Sequence, residues 1–529
     1  MQTPPHSLRR KPTPALPDDV LHLILGFLPE ATAAARTAVL SRRWWHVWVH
    51  AHKFVFSDDL APAAALGNFA SFVDRLFARR EGAEWTRYAV RHVVDFFLLR
   101  VSHVPPAATV ELELPSHGRT RSIQLDPSGS CLRLPQPAAS MYEALAELVL
   151  DSARLGDDVL LGDFVSSCCP RLRKLAIGSP LDLRELVLRV DALQELRLSR
   201  AEDLRTLDVT APNLRVLWLD LDRCFPHGAP GNDGGVSGNR VACCRVVAPR
   251  LQVIGMRDAT LAKLPGMDIH DLASVRCLDL CLHMRGWCCR RTSSGLWLLE
   301  NCPGVQHVQV SLSHYCGLVV TLTGRLFVGL GTIFAADEFI GLGRKGAAPF
   351  ASVTSLKVDT TSLPESYLVP SITSLLLRFP RLTSLSISSN RQGTGCNCCY
   401  AEYSPSGNHH RKISLGSLEV VEISGFTWAK EEMDLVSLLF ESSSSIKRMT
   451  ILTGAAKISG SHSLKPAAPS SWKLMMGEVD PMVDEELKRT TCIKRITCST
   501  SRGRWDIKEG VYTWTHYAAE AEAEGSINN

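Results

Sequence analysis

Short Leu-x-Leu segments recur through the middle of the chain and constrain its fold more than any other feature. Between residues 175 and 219 they start at 175, 186, 196, 207 and 217, so the step alternates between 11 and 10 residues. Apolar residues that alternate over so few positions favour half-buried β-strands. We infer that successive strands line the inner and outer walls of a coil in turn.

Two successive steps span about 21 residues, the length of one leucine-rich repeat. Such a coil must pack on its neighbours to bury its apolar edges. Further strand candidates lie at 112–114, 148–150, 253–256, 278–280, 308–310, 356–358 and 385–387. The sequence therefore predicts an irregular leucine-rich-repeat solenoid over 110–413, with loop insertions near 226–240 and 390–412.

A four-residue turn precedes several of these strands. In each turn the second residue is Pro and the fourth is apolar. The turns lie at 169–172, 211–214, 248–251, 302–305 and 379–382. Pro bends the chain, and we expect the apolar fourth residue to fill the interior of the coil.

The segment 16–29 predicts a short amphipathic helix. Pro17 suits the first helical position, and Asp18 and Asp19 complement the positive end of the helix. The apolar residues that fall on one face are Val20, Leu21, Ile24, Leu25 and Leu28. Two more short helices are expected before residue 50. Three helices in about 40 residues cannot bury a large core alone, so they either cap the next domain or pack against a partner.

The string of residues 16–48 resembles an F-box, in the version found in plant F-box proteins with leucine-rich repeats. It departs from that pattern at 45–47 and at 30–33. The resemblance implies docking to the Skp-family adaptor of a Skp–cullin–F-box ubiquitin ligase. The residues that match contact or core positions of the family are Leu16, Pro17, Val20, Leu21, Ile24, Leu25, Leu28, Pro29, Val39, Leu40 and Trp44.

A strand–helix–strand pattern follows the repeats, with strands at 418–426 and 446–451 around a helix at 431–440. It resembles the FBD module that ends many plant F-box proteins, and it would cap the last coil. The expected layout is an α/β chain with a disordered leader (1–15), an F-box (16–57), a helical linking region (58–109), repeats (110–413), an FBD-like block (414–500) and a tail (501–529).

Composition narrows the class of protein. The 529 residues are 45% apolar and 21% charged, which is typical of a folded protein, and the net charge of +4 is too small to indicate nucleic-acid binding. The 17 cysteines are odd in number and follow no secretory signal. They favour free thiols in a reducing compartment, the cytoplasm or the nucleus. The most apolar stretch, 317–343, is interrupted by charged residues, so no membrane span is predicted.

Motifs of catalysis are lacking in the sequence. It contains no phosphate-binding loop, no nucleophile elbow and no zinc-protease motif. Cys396, Cys399 and His409 come nearest to a zinc knuckle, but a second knuckle is missing and a surface loop with incidental thiols is the alternative. The adjacent pairs at 168–169, 243–244 and 288–289 are expected to fill coil interiors as small apolar groups. No metal or cofactor is predicted.

The resemblance therefore implies a non-catalytic substrate receptor. Its F-box would bind the adaptor and, through it, a cullin, while the repeats would hold a target protein that the sequence does not identify. Two alternatives remain open. One is a binding scaffold without a ligase role. The other is a small-molecule sensor, which would need a basic, aromatic pocket on the repeats.

Overall fold

Each Leu-x-Leu segment named above lies in or overlaps a strand in the computed structural model. The structure describes residues 16–24 in part, 53–57, 95–100, 111–114, 119–135, 141–220, 243–257, 267–283, 294–313, 349–389, 413–453, 493 and 503–517, with gaps of one to four residues inside some of these ranges. In these ranges it is mixed α/β, with many strands and few helices.

Strands and helices have the following bounds. The strands in the first half are β1 Lys53–Ser57, β2 Phe96–Arg100, β3 Glu111–Glu113, β4 Ser122–Asp126, β5 Cys131–Arg133, β6 Glu147–Asp151, β7 Arg154–Leu155, β8 Lys174–Gly178, β9 Glu185–Arg189, β10 Glu195–Ser199, β11 Thr206–Thr210, β12 Val216–Asp220 and β13 Cys243–Val247. Those in the second half are β14 Val253–Arg257, β15 Met267–His270, β16 Cys277–His283, β17 His307–Ser313, β18 Ser355–Ser362, β19 Ser384–Ser388, β20 Val420–Phe426, β21 Arg448–Thr453, β22 Gly503–Lys508 and β23 Val511–His516. The helices are α1 Asp158–Cys168, α2 Ser294–Asn301, α3 Leu368–Leu376 and α4 Lys430–Ser442, with a 3₁₀ turn at Leu272–Ser274.

The chain divides into two units, and the first comprises 1–214 and 239–248. In this unit β1, β2, β4, β6, β8 and β10 pair in that order, all parallel. The strands between them form two separate parallel sets. One set pairs in the order β9, β11, β13, and the other in the order β3, β5, β7. Successive strands from β8 to β11 thus belong to two sheets in turn, as the alternating step of 11 and 10 residues predicted.

Alternate side chains of each strand form the core of this unit. Leu175, Ile177, Leu196 and Leu198 are at most 1% exposed. Burying one such side chain stabilises the fold by about 1.5–3 kcal/mol. The turns before β6 and β8 are also joined, since Ala146 O accepts from Arg173 N at 2.8 Å and from Lys174 N at 3.0 Å. Neighbouring strands are therefore held by apolar burial and by their turns together.

The Pro-containing turns have the predicted form. Leu172, Leu214, Leu251, Val305 and Leu382, the fourth residues of the five turns, are at most 1% exposed. In the first turn Leu172 N donates to Cys169 O at 3.1 Å, which closes the bend. The apolar fourth residue fills the interior, as expected.

The second unit comprises 215–238 and 249–529. Its strands β12, β14, β16, β17, β18, β19, β20 and β21 pair parallel in that order. Helix α2 precedes β17, α3 precedes β19 and α4 precedes β21, because a parallel return needs a crossover. The pairing then changes, since β21 is antiparallel to β23 and β23 to β22.

Helix α4 starts at a buried carboxylate. Glu432, 1% exposed, accepts from Ser389 Oγ at 2.7 Å, from Thr427 N at 2.8 Å, from Thr427 Oγ1 at 3.0 Å and from Ala429 N at 3.3 Å. Ala429 precedes the helix and has no side-chain oxygen, so only the glutamate half of a capping box is formed. Glu432 thereby joins the helix to the end of β19 and to the loop before the helix.

Two expectations about organisation need correction. The helical linking region expected over 58–109 includes residues 96–100, but these form strand β2, because Phe97 and Leu99 are buried while their neighbours are not. The tail expected over 501–529 includes residues 503–516, but these form the β22–β23 hairpin. Its Trp514 is 1% exposed and lies edge-on to Phe440 of α4, with 5.1 Å between ring centroids. The hairpin therefore belongs to the core of the block that starts at residue 414.

Candidate functional site

The N-terminal segment begins with one turn of helix. Pro17 O accepts from Val20 N and from Leu21 N, both at 3.2 Å. Asp18, Val20, Leu21 and Ile24 are helical, and the Asp18 side chain is exposed in the first turn. A carboxylate there favours the helix, because the first N–H groups carry partial positive charge.

An exposed apolar stripe lies along one face of this N-terminal segment. Leu16 is 51%, Val20 36% and Ile24 38% exposed. They are four residues apart, so they share one face of the helix. Leu21, by contrast, is only 3% exposed and belongs to the core, and Pro17 is exposed. Of the residues matched to an F-box, Leu16, Val20 and Ile24 are thus exposed and Leu21 is buried.

The other matched residues, Leu25, Leu28, Pro29, Val39, Leu40 and Trp44, lie outside the described residues, as do most of the three expected helices. The last five residues of the 16–57 range form strand β1. Residues 1–15, the loops at 226–240 and 390–412, and the cluster Cys396, Cys399 and His409 are also outside the described part of the chain.

The solvent face of the parallel sheet is a second candidate surface. In the first unit this face carries paired charges, with Lys174 Nζ 2.7 Å from Glu147 Oε1 and Arg100 Nε 3.6 Å from Asp126 Oδ2. Such exposed pairs add little stability. Charged side chains on a sheet face instead set which partners it can accept.

Near its first strands, the corresponding face of the second unit carries mainly apolar and aromatic residues in place of paired charges. We define its open face as the half-exposed residues Val216, Trp218, Val253, Cys277 and Asp279, together with Gly255. Trp218 covers Gly255, its neighbour in register on β14. Strand alternation predicts an outward side chain at 218, and Gly in a strand often marks a close approach. Both signals are present in the sequence, but the pair was not predicted from them.

Buried thiols show no sign of nucleophilic chemistry. Burial raises the pKa of Cys302 to about 12, and burial together with the charge of the neighbouring Cys243 raises the pKa of Cys244 to about 12. The pKa of Cys169 is raised further, by burial and by the adjacent Cys168. A nucleophile needs the opposite shift. Cys168, Cys169 and Cys244 fill the interior as predicted, whereas Cys243 is exposed and that part of the prediction was wrong.

The described residues also bear on metal sites and membrane spans. In that part of the chain no group of three or more His, Cys, Asp or Glu residues is placed to hold a metal ion. Across the same ranges no helix is long and apolar enough to cross a membrane.

Comparison with known proteins gives one match to a family model and several relatives. The model described as FBD matches residues 414–451, which hold β20, α4 and the first part of β21. F-box/LRR-repeat protein 25 of Arabidopsis thaliana is 26% identical over 225 residues, 39% of this chain and 83% of the relative. A putative F-box/FBD/LRR-repeat protein of the same plant is 22% identical over 469 residues, 82% of this chain and 88% of the relative.

A third relative, a putative FBD-associated F-box protein of Arabidopsis thaliana, is 26% identical over 347 residues, 59% of this chain and 73% of the relative. The resemblance inferred from the sequence is therefore confirmed.

Proposed function

Since this chain is similar to plant F-box/LRR/FBD proteins, we propose that it is the substrate-recognition subunit of a Skp–cullin–F-box ubiquitin ligase. Residues 16–57 would form the three-helix F-box and bind a Skp-family adaptor, which connects to a cullin. The in-register parallel strands of each unit would be coils of leucine-rich repeats that hold the target protein. The chain would act where such ligases do, in the cytoplasm or the nucleus.

The exposed stripe of Leu16, Val20 and Ile24 carries this proposal. Three large apolar side chains in water along one helical face are unfavourable unless a partner covers them. An amphipathic helix that lies in an apolar groove uses this spacing of anchors. Each anchor that becomes buried would contribute about 1.5–3 kcal/mol to binding.

The chain itself need supply no catalytic residue. A target held beside a ubiquitin-loaded enzyme presents its lysines at a high effective concentration. The reactive thioester belongs to that enzyme, so the rate gain would come from positioning alone.

Co-purification with a plant Skp-family adaptor tests the proposal. We expect the wild type to retain the adaptor in equal amount and the double variant Leu16→Asp/Ile24→Asp to lose it. A matched control is Met141→Asp/Leu377→Asp, because these side chains are 54% and 38% exposed, close to the 51% and 38% of Leu16 and Ile24. Equal capture by the wild type and the Leu16/Ile24 variant would refute adaptor binding through this stripe.

A further inference from the structure

The indole of Trp218 lies flat on the backbone of the neighbouring strand. A Cβ atom placed on Gly255 would lie 2.0 Å from Cε3 of Trp218 and 2.5 and 2.6 Å from Cζ3 and Cδ2. An atom that approached Cε3 from the ring edge would lie much farther from the two carbons bonded to it than from Cε3 itself. The short distances to Cζ3 and Cδ2 therefore mean that the ring face, and not its edge, covers Gly255. Any larger residue at 255 would displace the ring.

The opposite face of the ring is directed away from the sheet. Trp218 is only half-buried, and Val216 and Val253 beside it are half-exposed. A ring held on a strand backbone has few alternative rotamers, so a ligand that stacks on it loses little additional entropy. Rigid aromatic side chains of this kind are frequent anchors of protein interfaces.

A carboxylate follows in the same row of the sheet. Trp218 is in register with Gly255, Gly255 with Asp279, Asp279 with Gln309 and Gln309 with Lys357. We call these residues the Trp218 row. With neighbouring strands about 4.8 Å apart, the indole spans the Gly255 position toward Asp279, whereas Lys357 is two strands farther on.

We propose that Trp218, Gly255 and Asp279 form a seat for an arginine side chain of the target protein. The guanidinium would stack on the outward ring face and pair with Oδ2 of Asp279, since Oδ1 is buried, while Val216 and Val253 would contact its aliphatic stem. Arginine fits better than lysine, because its planar group stacks and is more weakly hydrated. The proposal rests on the proposed function in one respect, that the repeats hold a target, and it names the chemistry of one anchor.

Binding of labelled octa-arginine to the full-length chain tests the seat, with fluorescence anisotropy as the readout. We expect octa-arginine to bind more tightly than octa-lysine, and the uncharged isostere octa-citrulline to bind least. Trp218→Ala should weaken octa-arginine binding about fivefold, as for loss of a cation–π contact of about 1 kcal/mol. Trp218→Tyr should retain most of the affinity, and Asp279→Asn should lose affinity as Trp218→Ala does.

A second carboxylate distinguishes the seat from general charge attraction. The register of the Trp218 row continues from Lys357 to Ser386 on β19 and to exposed Glu422 on β20. Glu422→Gln removes a carboxylate charge far from Trp218 and should leave binding within twofold. The proposal fails if Trp218→Ala or Asp279→Asn also stays within twofold, or if Glu422→Gln weakens binding as much as they do. Should Trp218→Ala not fold, Asp279→Asn and the octa-lysine comparison decide in the same way.

Adaptor capture separates this inference from the proposed function. None of the row variants should change adaptor capture, since they lie outside residues 16–57. If the row variants bind octa-arginine as the wild type does while the wild type still captures the adaptor, only the seat is refuted. A wild type that binds octa-arginine as expected but captures no adaptor refutes the ligase role and supports the seat.

Discussion

Replacing Glu432 with Ala should destabilise the second unit more than any other single change at the start of α4. The side chain is 1% exposed and accepts four hydrogen bonds. Its removal leaves four donors behind. The hydroxyls of Ser389 and Thr427 can rotate toward other acceptors, but the Thr427 and Ala429 amides are fixed by the backbone.

Each amide left without an acceptor in a buried site costs about 1–3 kcal/mol. The Ala429 amide is in such a site, whereas Thr427 is exposed, so its amide can bind water instead. Together with the lost hydrogen bonds to a charged acceptor, this gives an expected loss of about 3–5 kcal/mol. Glu432→Gln keeps one oxygen acceptor but turns an NH₂ group toward the remaining donors, so we expect about half that loss. Glu431→Ala is the matched control, because Glu431 is also in the first turn but is more exposed. It should cost under about 1 kcal/mol.

Urea unfolding followed by tryptophan fluorescence measures the effect. With a slope of about 2–3 kcal/mol per molar urea, Glu432→Ala should lower the midpoint by about 1–2 M. The central expectation is that the midpoint is lowest for Glu432→Ala, intermediate for Glu432→Gln and highest for the wild type. The reasoning would be wrong if Glu432→Ala and Glu431→Ala shifted the midpoint equally, because the buried bonds would then contribute no more than a surface charge.

Three further predictions follow, one from close packing and two from thiol burial. Gly162→Ala should destabilise the first unit by about 1–3 kcal/mol, because the new Cβ would lie 2.4 Å from Val187 O. This holds although Ala favours helices. A rise in the thermal unfolding midpoint would contradict the prediction. In the native protein iodoacetamide should modify exposed Cys243 before buried Cys302, as peptide mapping would show, and equal rates would refute the burial. Folding raises the pKa of Cys244 and Cys302 from 9.0 to about 12. The stability that these thiols contribute is therefore complete below pH 9 and should fall between pH 9 and pH 12. Unfolding midpoints measured at several pH values would test this.

Period and alternation made the regular part of the fold predictable. The steps of 11 and 10 residues predicted which strands share a sheet, and the strand–helix–strand pattern after residue 414 predicted β20, α4 and β21. The strands that were missed are β1, β2, β4, β5, β7, β13, β15, β22 and β23. In β2, Phe96-Phe97-Leu98-Leu99 does not alternate, and in β13, 243–247 contains adjacent cysteines. The burial of such strands depends on neighbouring strands, which local sequence does not encode.

The candidate sites also have one part that the sequence predicted and one part that only the structure shows. Helical spacing predicted the apolar face of 16–28, but only the structure separates exposed Ile24 from buried Leu21. The contact of Trp218 with Gly255 joins residues 37 apart in sequence, so it depends on strand register. Trp428 likewise has a conformation and contacts that its local sequence does not indicate. Its φ of 68° is unusual for a bulky residue, and its ring contacts Phe426 and Tyr512 at centroid distances of 5.2 and 5.1 Å.

The antiparallel hairpin has a consequence for synthesis of the chain. A ribosome releases β21 before β22 and β23, so the last parallel strand is for a time an unpaired edge that another nascent chain can join. The finished hairpin replaces that edge with β22, whose exposed residues are Arg504, Asp506 and Lys508, and charge at an edge discourages intermolecular pairing. A message truncated before codon 503 would therefore yield a protein prone to aggregation, even though every predicted repeat is intact.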